Sequence, residues 1–210
     1  MDCKIENKKI TAPPRPRVRQ TPDKEIFRCP WCLTDPLYTR YHDDEWGKFC
    51  ADDQRIFEFI TLEAAQAGLS WFTILKKREG YRAAFAGFDP VKVANFTNAD
   101  IERLVLDAGI VRCRAKIVAA IRNAQVFLEI AKERGSFADY LLDFFPQRKP
   151  IVNKVGRLED IPASTPLSGR IAVDLKKRGL KFFGPTICYA HLQATGFVND
   201  HLDACAFKPK

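Results

Sequence analysis

Apolar residues in this chain recur at intervals of three and four, the period of a helix packed on one side, rather than at the alternate positions of a half-buried strand. Ile101, Leu104, Val105 and Ala108 form one stripe, and Ile117, Ala120, Ile121, Ala124 and Leu128 form a second. Helix-start signals agree with that period. Asp89 before Pro90 reads as an N-cap with proline in the first helical position, Thr97 or Asn98 can cap the next helix, and Ser136 precedes Phe137, Tyr140, Leu141 and Phe144. Apolar density rises at Cys29 and stays high to Phe207, with no linker-like break and no internal repeat. The pattern predicts a single all-α domain of short helices over residues 29–207, with Val152 to Ile161 its least marked stretch. Residues 1–28 are polar and contain TAPPRPRVRQTP, whose prolines remove backbone donors, so this arm is expected to be disordered.

The 210 residues, 46% of them hydrophobic, suffice for one core of ordinary size. No run approaches the roughly 20 apolar residues of a membrane-spanning helix, and the opening MDCKIENKKI has no apolar signal core, so a soluble, non-secreted, cytoplasmic protein without a membrane partner is expected. Seven cysteines, irregularly placed at 3, 29, 32, 50, 113, 188 and 205, argue for reduced thiols rather than a disulfide framework. Lys and Arg outnumber Asp and Glu by 34 to 26, a net charge of +8. Residues 1–28 hold eight basic and four acidic groups and the rest 26 and 22, so the arm carries half the excess. Such a balance suits a phosphate partner without requiring one.

Four features carry chemistry. In DDQRIFEFITLEAAQAGLSW, a helix capped near Asp52 puts Ile56, Phe59, Ile60, Glu63 and Ala67 on one face, so the Glu63 carboxylate lies on the apolar stripe. It either turns outward, pairs with a buried arginine, or serves a site. Glu58, on the opposite face, is expected to be solvated. The second feature is aromatic company: Trp31, Tyr38, Tyr41, Trp46 and Trp71, including all three tryptophans, lie close together in the sequence. Rings beside a carboxylate suit a flat cationic base, and core packing accounts for rings equally well.

Third, His201 and Cys205 are four apart and would meet on one helix face, and with Cys29 and His42 they make a Cys₂His₂ set that would staple the two ends of the domain. Cys32 is a rival ligand through Cys29-Pro-Trp-Cys32, and Cys205 reads equally as a buried thiol. Fourth, in LKKRGLKFFGPTICYAHL (175–192) a basic helix end runs into Gly179, an apolar hairpin turns at Gly184, and Pro185 opens a second helix whose free N–H groups can face an anion. This reads as a helix-hairpin-helix, with Lys176, Lys177, Arg178 and Lys181 around the turn and a DNA phosphate as the natural anion. Gly196 is expected to end the second helix.

Together these residues resemble the bacterial DNA-3-methyladenine glycosylase I family, in the helix-hairpin-helix superfamily. The resemblance runs from residue 29 to 205 through DPLYTRYHDDEWG (35–47), LEAAQAGLSWFTILKKRE (62–79), FDPVKVA (88–94), DAGIVRCRAKI (107–117), LKKRGLKFFGPTICYAHLQATGFVNDH (175–201) and the terminal HLDAC. It implies a monofunctional hydrolase that flips 3-methyladenine out of alkylated double-stranded DNA and releases it. Glu63 matches the family's base-recognising acid, Trp71 its stacking tryptophan, Tyr41 a residue of the same pocket, and Trp31, Tyr38 and Trp46 the remaining aromatic wall. Cys29, His42, His201 and Cys205 match its structural zinc ligands, Cys29 rather than Cys32. Gly68 and Leu69 become candidates for the wedge that fills the gap in the DNA, and Lys181, Gly184 and Thr186 for hairpin contacts.

The family's LEGQQAG reads LEAAQAG here, its GTT reads GPT, Cys113 stands where a histidine often lies, and the arm has no counterpart. The superfamily's usual catalytic aspartate after the hairpin has no match. On this reading Trp71 and Tyr41 hold the extruded ring while ionised Glu63 accepts a hydrogen bond and opposes its charge. Two rivals stand beside it: a zinc-stapled DNA-binding module without catalysis, and a glycosylase of broader range that also acts on 3-methylguanine. A monomer is expected, since no heptad or apolar surface stripe is visible.

Overall fold

The Asp52 carboxylate accepts a hydrogen bond from the Arg55 N–H at 2.7 Å and starts helix α2 (Asp53–Gln66) in a computed structural model that describes residues 26–209. Every residue from Ile56 to Ala65 is buried, so α2 is covered all round rather than along one stripe. Around it pack α3 (Trp71–Ala84), α6 (Arg114–Arg134), α7 (Phe137–Leu142) and α9 (Pro185–Ala194). Outside these, α4 (Pro90–Ala94) and α5 (Asn98–Leu106) lean on α6, α1 (Pro36–Asp44) on α3, and α8 (Pro166–Arg178) on α9. The all-α expectation holds.

So do the expected caps. Asp89 accepts from Val91 and Lys92, Thr97 forms a capping box with Asp100, and Ser136 accepts from Asp139. Asp53 adds a long-range tie, accepting from the N–H groups of Phe137 at 3.1 Å and Ala138 at 3.3 Å, so the first turn of α2 anchors the start of α7. The poorly marked stretch near residue 152 contains β1 (Ile151–Val152), which pairs in parallel with β2 (Val198–Asn199), Ile151 opposite Val198. Strands of two residues carry no alternation to read. Between α9 and β2, Gly196 sits at φ +69° with the backbone of Lys48 and Phe49 so near that a Cβ would lie 2.1 Å from the Lys48 carbonyl carbon. Only glycine permits that approach, which holds the end of α9 against the segment after Trp46.

The buried residues form a large core around α2 and α6 and a smaller group that includes Cys29, Tyr41, Trp46, Phe59, Leu75 and Cys205, with Trp71 packed against both. Of the arm expected at 1–28, residues 1–25 lie outside the described residues. At its end the Phe27 carbonyl accepts from the Ala206 N–H at 2.9 Å and Arg28 pairs with Asp43 at 2.8 Å. Among the described residues no helix is long and apolar enough to cross a membrane.

Candidate active site and metal centre

Glu63 projects from the last turn of α2 into a cavity of about 190 Å³ lined by Trp31, Tyr38, Tyr41, Trp46, Gln66, Trp71, Ala190 and Gln193. Its side chain is 2% exposed, and its Oε2 has no hydrogen-bond partner. Among the described residues no cation stands beside it, and burial pushes its carboxyl up to about 8, so the acid keeps its proton at neutral pH in the free protein. The indole Nε1 of Trp71 is likewise buried and unpartnered. Both residues line the cavity, so a ligand held there can partner the two polar atoms that the protein leaves unpaired.

The five aromatic residues singled out by sequence all line this cavity. Trp31 comes from a 3₁₀ turn over Pro30–Thr34, Tyr38 and Tyr41 from α1, Trp46 from the turn after α1, and Trp71 from the first turn of α3, where Ser70 caps the helix. Trp31 meets Trp46 edge-on at 5.0 Å and Tyr38 at 4.9 Å, while Tyr41 tilts against Trp71 at 5.5 Å. Phe59 stacks behind Trp71 at 6.1 Å and is flanked by the guanidinium groups of Arg55 at 4.9 Å and Arg78 at 5.4 Å. These contacts fix the rings before any ligand arrives.

Glu58 is not solvated. It is 2% exposed and accepts hydrogen bonds from Arg55 and Arg78 at 2.8 Å and from Arg82 at 2.7 Å. Burial pushes its carboxyl up, but the three guanidiniums outweigh that and hold it below the usual carboxylate range. Glu45, at the end of α1, shares Arg78 and Arg55. Beyond its first turn α2 has no solvent face, so an acid opposite Glu63 is also buried, with counter-charges from Arg78 and Arg82 of α3 and from Arg55 of α2 itself. Of the two glutamates on the helix, Glu63 alone faces the cavity.

Cys29, His42, His201 and Cys205 converge, their ligand atoms all within 4.8 Å of one another and all four residues buried. The separations are 3.7 Å for Cys29 Sγ to His201 Nδ1, 3.6 Å for Cys205 Sγ to His42 Nε2 and 3.4 Å for Cys205 Sγ to His201 Nδ1. Tetrahedral zinc with bonds of about 2.3 Å to sulfur and 2.0–2.1 Å to nitrogen sets such edges near 3.6 Å, so the donors fit a metal ion. The outer nitrogens are committed as metal-binding imidazoles usually are: His42 Nδ1 to Asp43 at 2.7 Å and His201 Nε2 to the Trp46 carbonyl at 3.0 Å. Burial pulls His201 down to about 4, favouring the neutral ring that can ligate. Cys32, the rival, points its thiol back to the Cys29 carbonyl at 3.1 Å. His201 and Cys205 do not share a helix; a turn after β2 brings them together. The donor cluster adjoins the cavity, since His201 packs edge-on against Trp46 at 4.7 Å and His42 against Trp31 at 5.3 Å.

Gly68 and Leu69 form the turn between α2 and α3, Gly68 at φ +78° and Leu69 at 40% exposure. Lys116 of α6 clamps this turn by donating to the carbonyls of Ala65 at 2.8 Å and Ala67 at 2.6 Å. Between α8 (Pro166–Arg178) and α9 (Pro185–Ala194) the chain turns within six residues, where the hairpin is expected. Gly179 ends α8 in a left-handed conformation, Gly184 caps α9, and Asn123 of α6 holds Lys181 through both its N–H and its carbonyl at 2.7 and 3.0 Å. Lys176, Lys177, Lys181, Gly184 and Thr186 are exposed there. Arg178 is not free for an anion, being paired with Asp174 at 2.9 Å and Glu133 at 2.6 Å. Sequence reasoning missed Ala190 and Gln193 as cavity residues, which lie one turn apart on α9, far along the chain from the aromatic group.

The sequence profile of the methyladenine glycosylase family matches residues 31–208. The chain is 50% identical over 182 residues to DNA-3-methyladenine glycosylase 1 of Escherichia coli strain K12, covering 87% of this chain and 97% of that one. It is 47% identical over 181 residues to a DNA-3-methyladenine glycosylase of Haemophilus influenzae, covering 86% and 97%. It is also similar to a solved structure of 3-methyladenine DNA glycosylase I from Staphylococcus aureus that describes 3-methyladenine recognition, with a TM-score of 0.84 at 38% identity over 87% and 97% of the two chains.

Proposed function

This chain belongs to the methyladenine glycosylase family, and we infer that it is a base-excision repair glycosylase that releases 3-methyladenine from alkylated DNA by hydrolysing the bond between base and sugar. The observation that carries this reading is the unpartnered Glu63 carboxyl inside an aromatic cavity. A methyl group on N3 makes adenine a cation, which weakens its glycosidic bond and lightens the demand for a leaving-group acid. Selection is then the larger task, and it begins with extrusion, which costs less for a damaged base.

Trp71 and Tyr41 hold the ring by stacking and edge contact. The field of the cation favours ionisation of Glu63, so the acid releases its proton to solvent as the lesion enters. The carboxylate then accepts from the base's exocyclic amine and opposes its charge, whereas a neutral adenine offers no field to ionise the acid. The same charge favours positive character developing on the sugar. Trp31, Tyr38 and Trp46 complete the wall. Gly68 and Leu69 enter the gap in the duplex, and Lys181, Gly184 and Thr186 meet the phosphate backbone of double-stranded DNA. The exposed positions of these five residues support that assignment.

Cys29, His42, His201 and Cys205 would hold one structural zinc, and a set of four protein donors leaves no open position for a reacting water. The proposed domain spans residues 29–207 and residues 1–28 form a basic arm whose last two residues, Phe27 and Arg28, bond to that domain, and the protein acts as a cytoplasmic monomer. A binding module without catalysis would use the same hairpin and metal set but has no use for an unpaired buried acid. Chromatography of bases freed from methylated duplex DNA by the pure protein tests the reading. A 3-methyladenine peak growing with time is expected; DNA binding without base release would establish the module instead.

A further inference from the structure

Asp200 is 2% exposed, and the described residues give it no cationic partner. Its carboxylate accepts three hydrogen bonds from neutral groups: Tyr189 Oη at 2.6 Å and Gln193 Nε2 at 2.6 Å on Oδ2, and Asn153 Nδ2 at 2.7 Å on Oδ1. The smallest element of the fold places it. Asp200 directly follows β2, and Asn153 directly follows β1, whose pairing continues through the Asn153 N–H to the Asn199 carbonyl at 3.0 Å. Gln193 stands one hydrogen bond away on α9 and lines the aromatic cavity with Glu63.

A side-chain amide can face either way, and its two ends have opposite hydrogen-bonding character. Here the carboxylate decides. A carboxylate only accepts, so the amide must turn its NH₂ toward Asp200, which leaves the acceptor Oε1 as its other polar end. Gln193 cannot flip to present a donor without leaving the Asp200 charge with one partner fewer inside the protein.

We propose that Asp200 is a positioning residue that locks the Gln193 amide with its oxygen toward the cavity, and that this fixed acceptor selects a purine bearing an exocyclic amine over one bearing a carbonyl at the same edge. The inference rests on the glycosylase reading of the cavity and deepens it. A 6-amino purine such as 3-methyladenine offers N–H to Oε1. A 6-oxo purine such as 3-methylguanine sets oxygen against oxygen and leaves both unpaired. Both bases carry the cationic charge that N3 methylation gives, so Glu63 alone does not separate them by charge, and a fixed dipole can.

The test measures kcat/KM for release of 3-methyladenine and of 3-methylguanine from methylated duplex DNA by wild-type protein, Gln193→Met and Asp200→Asn. Gln193 is only half-buried and methionine keeps its length, so folding should survive, and melting temperature and zinc content are measured alongside because Asp200 adjoins His201. Gln193→Met should narrow the preference for 3-methyladenine by about tenfold, chiefly by slowing 3-methyladenine release, since a site built to pair a polar group loses its discrimination when that group goes. Asp200→Asn, whose amide frees the glutamine to flip, should narrow it in the same direction with the metal retained. An equal slowing of both bases by Gln193→Met, or an unchanged ratio, overturns the proposal and reduces Gln193 to packing. If wild-type protein released neither base, the glycosylase reading itself would fall and this inference with it, whereas an unchanged ratio in an active enzyme sinks this inference alone.

Discussion

Glu63 and Glu58 show how much environment decides for one residue type. They are five positions apart on α2 and equally buried, yet Glu58 is surrounded by three arginines and held ionised, while Glu63 has none among the described residues and keeps its proton up to about pH 8. Because the folded-state pKa of Glu63 lies above the ordinary value of 4.5, the unfolded chain sheds this proton first. Stability contributed by the neutral form is therefore lost as pH rises from about 4.5 to about 8, and is level beyond. Glu63→Gln should raise the stability of the free protein at pH 7 by up to about 3 kcal/mol, read as a melting temperature several degrees higher, with a gain that vanishes near pH 4. A lower melting temperature for this variant at neutral pH would mean that the carboxyl is held by a partner. Glu63 was legible in the sequence because an acid interrupts an apolar stripe. Glu58 was not, because its burial depends on arginines 20 and 24 positions later that only the packing of α3 delivers.

At the scale of elements, α2 and α3 are joined by charge as well as by apolar contact, and the cluster of Glu45, Glu58, Arg55, Arg78 and Arg82 also reaches the end of α1. Removing one member strands the others. Glu58→Ala should destabilise the fold by about 3–5 kcal/mol in denaturant unfolding, far beyond an exposed acid, and a change under about 1 kcal/mol would show the pairs to be solvated. The hairpin between α8 and α9 is held by Asn123 rather than by its own turn alone, which keeps Lys181 at a fixed place on the surface. Lys181→Ala should weaken binding to duplex DNA of any sequence and reduce the slope of log affinity against log salt by about one, leaving the choice of base unchanged. The helices, their caps and the hairpin could be read from period and turn chemistry. The β1–β2 pairing could not, being two residues long, nor could the turn that unites His201 with Cys205, since a spacing of four looks the same on a helix and in a turn.

Across the whole molecule, Cys29 and His42 meet His201 and Cys205 from the opposite end of the domain, and the same contacts carry Trp31 and Trp46 into the cavity wall. A staple of this kind couples global stability to the shape of the site. Chelation, or Cys205→Ser, should remove one equivalent of zinc, lower the melting temperature and weaken lesion binding together; full zinc content and stability in Cys205→Ser would exclude Cys205 as a ligand. Gln193 belongs to this scale too, because α9 comes within reach of the aromatic group only through the complete fold, and no local pattern announces it. Recognition of the lesion depends on a buried acid that pairs with a cationic purine. Its most direct test is the pH dependence of kcat/KM for 3-methyladenine release from methylated duplex DNA by wild type and Glu63→Gln. Wild type should gain rate with pH and level off near 8, as the free enzyme's acid ionises, while Glu63→Gln should be slower by about a hundredfold or more and flat across the same range. Equal rates and parallel profiles for the two proteins would contradict it.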